Sequence, residues 1–182
     1  LVLKKARWQF INIHRFYWTY PECFLNHKVY CSLQINKPLG VDIFTKLETF
    51  DQAVRHVIYD IPKTNRLVFD DKATIDKNHA CMKILGNPQE SHLTLHVAAT
   101  SGKGSICYGI EAILRAHGKQ TGLTVSPHVY DIRERMQLNG RLLEKKVFVE
   151  TLNEVLAKTL DSNLSLSYFE LLIAMSYTIF SK

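Results

Sequence analysis

The sequence predicts an α/β fold with a mainly parallel sheet, and three observations carry that expectation. A short apolar run at 93–98 leads into a glycine-containing loop and an amphipathic helix, and a second apolar run at 121–125 follows. Strand, helix, strand in that order is the unit from which parallel sheets are built. An Asn139-Gly140 pair between two short apolar-polar arms, within 133–144, predicts one hairpin, because a two-residue turn needs positive φ at both positions. The chain has 182 residues, 46% hydrophobic and 22% charged, an ordinary globular composition and not a disordered one. No run of roughly 18 apolar residues exists, so no transmembrane helix is expected.

Residues 1–41 are unlike the rest and stay unassigned, a basic, aromatic-rich extension. The formal charge of +6 sits mostly there, on Lys4, Lys5, Arg7, Arg15, Lys28 and Lys37. Trp8, Phe10, Phe16, Tyr17, Trp18 and Tyr20 crowd together without a period. Such a mixture can stack and neutralise single-stranded nucleic acid, but no nucleic-acid-binding fold pattern accompanies it, so nucleic acid is not the expected partner. The start lacks a signal peptide's apolar stretch. Cys23, Cys31, Cys81 and Cys107 have neither metal nor redox spacing, which fits reduced thiols in the cytoplasm.

From residue 42 to 182 the elements become readable. Phe44, Leu47, Phe50, Val54, Val57 and Ile58 recur at helical spacing, and Pro62 ends that helix. A second helix over 73–85 puts Ile75, His79, Met82 and Leu85 on one face, with Gly86 as C-cap. The run 93–98 predicts a buried strand. Ile106, Ile110, Ile113 and Leu114 mark the inward face of a helix ending at Gly118. Val147, Phe148, Leu152, Val155 and Leu156 mark another, and the last begins near Ser167 with Glu170 three residues on, a capping box.

The chemistry concentrates in Ala99-Thr100-Ser101-Gly102-Lys103-Gly104-Ser105, between a strand and a helix. Phosphate binding needs inward-pointing backbone N–H groups, hence small residues and positive φ, which Gly102 and Gly104 can supply. The helix N-terminus adds about half a positive charge. Lys103 can reach β- and γ-phosphates, and the Ser105 hydroxyl can meet Mg²⁺. The plain alternative is an ordinary strand-to-helix turn, since the pattern lacks the first glycine of G-x-x-x-x-G-K-[ST] and a glycine separates Lys103 from Ser105.

Several motifs occur together in order: Leu85-Gly86-Asn87-Pro88-Gln89, then His96 through Ser105, then Ser126-Pro127-His128 with Arg133-Glu134-Arg135 and Asn139-Gly140, then Leu166-Ser167-Tyr168-Phe169-Glu170. On these the chain, from about residue 44 to 182, resembles folylpolyglutamate synthase and dihydrofolate synthase of the Mur ligase superfamily. The resemblance implies a P-loop-containing three-layer α/β/α ATP-binding domain. It also implies an ATP-dependent, Mg²⁺-requiring ligase of folate biosynthesis and one-carbon metabolism. Such an enzyme adds L-glutamate to a folate or dihydropteroate carboxylate through an acyl phosphate and acts as a monomer. Carried over by position, Thr100, Ser101, Gly102, Lys103, Gly104 and Ser105 hold ATP, with Lys103 catalytic. Ser105 and Ser126 ligate Mg²⁺, and Ser167 and Phe169 line a folate pocket.

Ala99 and Ser101 depart from the family's loop glycine and asparagine. The family's later metal-binding glutamate, histidine and carbamylated lysine lie beyond Lys182, so the expectation is an N-terminal fragment, inactive alone. Two other readings remain open: a non-catalytic nucleotide-binding remnant, and another P-loop phosphotransferase, which would need a Walker-B aspartate after an apolar strand. Among neighbouring residues, Glu170 reads as the capping acid, Phe169 as equally core or ligand, His128 as loop or ligand, and Glu134 as a surface ion-pair partner of Arg133 and Arg135.

Overall fold

A computed structural model describes residues 9–13, 45–62 and 72–182, the first of these as backbone. The aromatic residues expected to crowd at 16–20, and Trp8, lie outside the described residues. Among the described residues five strands form one sheet, β1 (Gln9–Ile13), β2 (Leu93–Val97), β3 (Thr121–Thr124), β4 (Gln137–Leu138) and β5 (Arg141–Leu142), in the order β2-β1-β3-β4-β5. β1 runs parallel to both neighbours, with Ile13 opposite Val97 and Asn12 opposite Thr124. β4 and β5 pair antiparallel. The sheet is thus parallel across its longer strands, β2, β1 and β3, and the expected hairpin adds two short antiparallel strands directly onto β3. Its turn is as expected, Asn139 at φ 50° and Gly140 at φ 70°. The arm before it is shorter than expected, since Ile132–Arg135 forms a 3₁₀ turn instead of strand.

β3 is buried along its whole length. Successive residues point to opposite faces, and both faces are covered. At Gly122 an added Cβ would lie 2.5 Å from the Phe180 ring of α5 (Tyr168–Phe180). Leu123 instead meets Cys107, Ile110 and Leu114 of α3 (Lys103–Ala116), with Val97 and Val125. A larger core forms where α1 (Phe50–Arg55), α2 (Lys72–Ile84), α4 (Lys145–Asp161) and α5 meet, around Ala53, Val57, Phe148, Leu152, Val155, Leu171 and Met175. Phe50 meets Phe148 edge-on at 5.4 Å between centroids.

Four details differ from the sequence reading. α1 starts at Phe50, not 44, because Thr49 and Gln52 form a capping box there. The chain before it is held by Asn153, whose amide accepts from the Leu47 N–H at 2.9 Å and donates to its carbonyl at 2.8 Å. α2 is turned so that Cys81 and Leu85 are buried while Ile75 and His79 are exposed. Lys77, one turn before Cys81, then reaches Glu170 at 2.7 Å. Its C-terminus is as read: Gly86 is left-handed at φ 86°, with Gly86 N–H bonded to Lys83 O and Asn87 N–H to Met82 O, a Schellman closure. In α3, Ile106 and Ile113 face outward. Finally, β2 is not buried: it is the edge strand, with β1 as its one described partner, and Leu93 and Leu95 are exposed.

The two glycines Gly122 and Gly109 therefore predict opposite responses to alanine. Gly122→Ala forces a methyl into the Phe180 ring and should lower unfolding free energy by about 1–3 kcal/mol. Gly109→Ala, mid-helix with open space around its Cβ, should raise it by about 0.5–1 kcal/mol. Urea denaturation of both variants checks this, and a neutral Gly122→Ala would mean that Phe180 does not seat on β3.

Candidate functional site

The loop between β2 and α3 takes the shape its residues allow. Gly102, at φ 75°, is the N-cap of α3 and needs the left-handed conformation that glycine permits. Gly104 does not: it is already the second residue of the helix, and nothing lies within 4 Å of where its Cβ would be. Its lack of a side chain leaves the first turn of α3 open above the backbone. Ala99 is not among the described residues with positive φ, so its departure from glycine carries no backbone strain. Lys103 is the first helical residue and is buried, its Nζ donating to Ala99 O at 2.7 Å. The lysine thus bends back across its own loop, while Thr100, Ser101 and Ser105 are exposed.

Ser126 leaves the sheet from the same end, the carboxyl end of its parallel strands. β2, β1 and β3 are parallel, and Ile13 is level with Val97 as Asn12 is with Thr124. The two loops therefore start one strand apart, about 10 Å at the usual strand spacing. Both loops thus lie outside the carboxyl ends of parallel strands, the side on which open α/β sheets place ligands. The Ser126–Pro127 peptide is cis, and Ser126 is exposed.

The residues after Ser126 are held in place by a network the sequence reading missed. Glu134 does not pair with its flanking arginines. Its carboxylate accepts the backbone N–H groups of Val129 at 2.7 Å, Asp131 at 2.9 Å and Tyr130 at 3.0 Å, and these hold its pKa below the ordinary glutamate range. Arg133 turns to Asp131 as a fork, with Nη2 to Oδ2 at 2.6 Å and Nε to Oδ1 at 3.0 Å, and its Nη1 donates to Leu143 O at 2.8 Å. The Asp131/Glu134 spacing is that of a capping box, the signal that would have found this. Arg135 Nε donates to His128 Nδ1 at 2.8 Å. His128 must then carry its proton on Nε2, and burial together with the Arg135 charge lowers its pKa.

The first turn of α5 adjoins this loop, because the Arg135 guanidinium lies over the Tyr168 ring, 5.6 Å from its centroid. Of the two residues expected to meet a heterocycle, Phe169 is 38% exposed, while Ser167 is buried. The Ser167 hydroxyl and N–H both donate to Glu170 Oε2 at 2.8 Å, so the hydroxyl can offer a ligand only an acceptor. Burial pushes the Glu170 pKa up, but Lys77 and these Ser167 contacts outweigh it and the net shift is downward. Glu170 is thus the capping acid expected of it. Among the described residues no three His, Cys, Asp or Glu side chains gather as a metal cluster, and no helix is long and apolar enough to cross a membrane.

Because the Glu134 pKa is lowered, its hold on residues 129–131 is complete above the ordinary carboxylate value, about pH 4.3. The hold is lost as pH falls through the lower folded value. Amide-exchange protection at Val129, Tyr130 and Asp131 should drop on that descent, and Glu134→Ala should abolish it already at neutral pH. Protection that ignores both changes would show that the carboxylate does not organise the loop.

No family model matches the chain. The dihydrofolate synthase/folylpolyglutamate synthase of Mycobacterium tuberculosis is 32% identical over 113 residues, covering 56% of this chain and 23% of that protein. Folylpolyglutamate synthase of Arabidopsis thaliana is 33% identical over 119 residues, 63% of this chain and 19% of that protein. The structure of Mycobacterium tuberculosis folylpolyglutamate synthase complexed with ADP matches with a TM-score of 0.60 at 27% identity, over 70% of this chain and 28% of that one. The chain thus spans less than a quarter of the length of these two curated relatives. Over the part of them that it spans, it resembles the folylpolyglutamate and dihydrofolate synthases in both sequence and fold.

Proposed function

We propose that this chain carries the nucleotide-binding part of an ATP-dependent ligase that joins L-glutamate to a carboxylate of a folate or dihydropteroate. The observation that supports this best is the pairing, at one end of the sheet, of the α3 N-terminus bearing Lys103 and Ser105 with the Ser126 loop. On this reading the 99–105 loop is a P-loop in a three-layer α/β/α domain, and the ligase works in the cytosol as a monomer.

Phosphoryl transfer asks a protein mainly for positioning and for neutralising charge. Backbone N–H groups of residues 100–105 and the α3 N-terminus would cradle the triphosphate. Lys103, now on Ala99 O, would exchange that carbonyl for phosphate oxygens at little cost in reach. The exposed hydroxyls of Ser105 and Ser126 are hard oxygen donors suited to Mg²⁺, which keeps much of its shell as water and phosphate, so these residues fit the ion without a carboxylate cage. Bound there, Mg²⁺ would supply charge neutralisation between the phosphates. The acid substrate's carboxylate oxygen would attack the γ-phosphorus with ADP departing, and the glutamate amine would then attack the acyl carbon with phosphate departing. Phe169 would offer a ring face to a flat heterocycle, with Ser167 as an acceptor beside it.

Lys103→Ala should weaken binding of a fluorescent ATP analogue by about ten- to hundredfold, the size of a lost charge-assisted hydrogen bond. Ser105→Ala should weaken it with Mg²⁺ present and leave it unchanged in EDTA. Unaltered affinity in Lys103→Ala, with the circular dichroism of the parent, would refute the loop assignment.

A further inference from the structure

Arg135 carries a charge out of water that no carboxylate among the described residues neutralises. It is half-buried at the end of the 3₁₀ turn, and burial lowers its pKa. Arg115 and Arg133, by contrast, each close on a carboxylate, Glu111 at 3.0 Å and Asp131 at 2.6 Å. Among the described residues no carboxylate forms an ion pair with Arg135. The nearest in sequence, Glu134, has committed its oxygens to backbone N–H groups. One donor of Arg135, Nε, is taken by His128, and the guanidinium carbon stands over the Tyr168 ring, 5.6 Å from its centroid.

A half-buried charge without a counter-ion is costly unless something pairs with it. Two of its contacts also fix where the guanidinium sits. His128 ties it to the loop that begins at Ser126, and Tyr168 lies between Ser167 and Phe169. A guanidinium tied through Nε and placed over an aromatic ring can turn its terminal N–H groups to a planar, two-oxygen acceptor.

Resting on the ligase reading, we propose that Arg135 is a substrate-binding residue that grips a carboxylate of the flat-ring acid, where the Ser126 loop meets the first turn of α5. It would hold the acid by its charged end while Phe169 faces the ring. An Arg135 that is only a structural strut between His128 and Tyr168 would make no distinction between an acid and its neutral amide, and that difference provides the test.

Calorimetric titration of the whole chain with pteroate and with pteroate amide separates the cases. Wild-type protein should bind the acid about tenfold or more tightly than the amide. Arg135→Gln should lose that preference while binding a fluorescent ATP analogue in EDTA, where the Ser126 hydroxyl has no metal to hold, as the parent does, and Arg135→Lys should keep part of it. If wild type binds acid and amide alike, or if Arg135→Gln retains the preference, the proposal is overturned while the ligase reading stands. If Arg135→Gln instead weakens the ATP analogue in EDTA at unchanged circular dichroism, the arginine serves the nucleotide and the proposal is likewise overturned. If wild type binds the ATP analogue but neither pteroate compound, the ligase reading itself fails and takes this proposal with it.

Discussion

The position of β3 between two helices is the constraint on which the rest depends. Its four residues are all buried, and each face packs against a helix. Gly122 has no side chain because Phe180 occupies that space, and Leu123 fills the opposite side beneath α3. The start of the strand is fixed by polar contacts. The Thr121 hydroxyl donates to buried Glu111 at 2.6 Å, and Glu111 also accepts from Arg115. Thr121 and Asn139 exchange two further hydrogen bonds, 2.9 and 2.8 Å long. A buried carboxylate is tolerable only when so satisfied. Helix, strand and hairpin turn are thereby locked at one end of the sheet, and the opposite end is left to launch loops.

That division of labour explains how a small sheet presents a site. α3 cannot shift without disturbing Glu111 and Cys107, so its N-terminus, with Lys103, is held relative to β3. The Ser126 loop rises from β3 itself and is gripped again by Glu134, by the Asp131–Arg133 pair and by the His128–Arg135 contact. Catalytic groups on loops gain precision when a rigid scaffold and surrounding hydrogen bonds fix them. Here the grip comes mostly from charged side chains binding neutral backbone and ring nitrogens, which orders the loop yet leaves Arg135 charged at its margin.

What was legible in the sequence was local. Gly102, Asn139-Gly140, Gly86 and the Ser167/Glu170 box each demand a particular backbone conformation or hydrogen bond within a few residues, and each was found. What failed was what distant residues decide. Ile106 and Ile113 fit an apolar period but point outward, because Leu123 and Val125 meet the face carrying Cys107, Ile110 and Leu114. Leu93 and Leu95 read as core, yet an edge strand has little to bury against. β1 could not be seen at all: five residues in an unpatterned, basic stretch become a central strand only by pairing with partners more than 80 residues away. Glu134 was misread for another reason, since adjacent arginines suggest ion pairs while the Asp131/Glu134 spacing, an equally local signal, was passed over.

The central claim is that the α3 N-terminus and the Ser126 loop form one nucleotide and metal site. The most direct measurement is an NMR titration of the chain with a non-hydrolysable ATP analogue, with and without Mg²⁺. The account predicts that amides of residues 100–105 shift in both titrations, that residues 126–128 shift when Mg²⁺ is present, and that both sets then follow one dissociation constant. Shifts confined to other parts of the chain, or a 126–128 loop that stays silent while the 100–105 loop saturates with Mg²⁺ present, would contradict it.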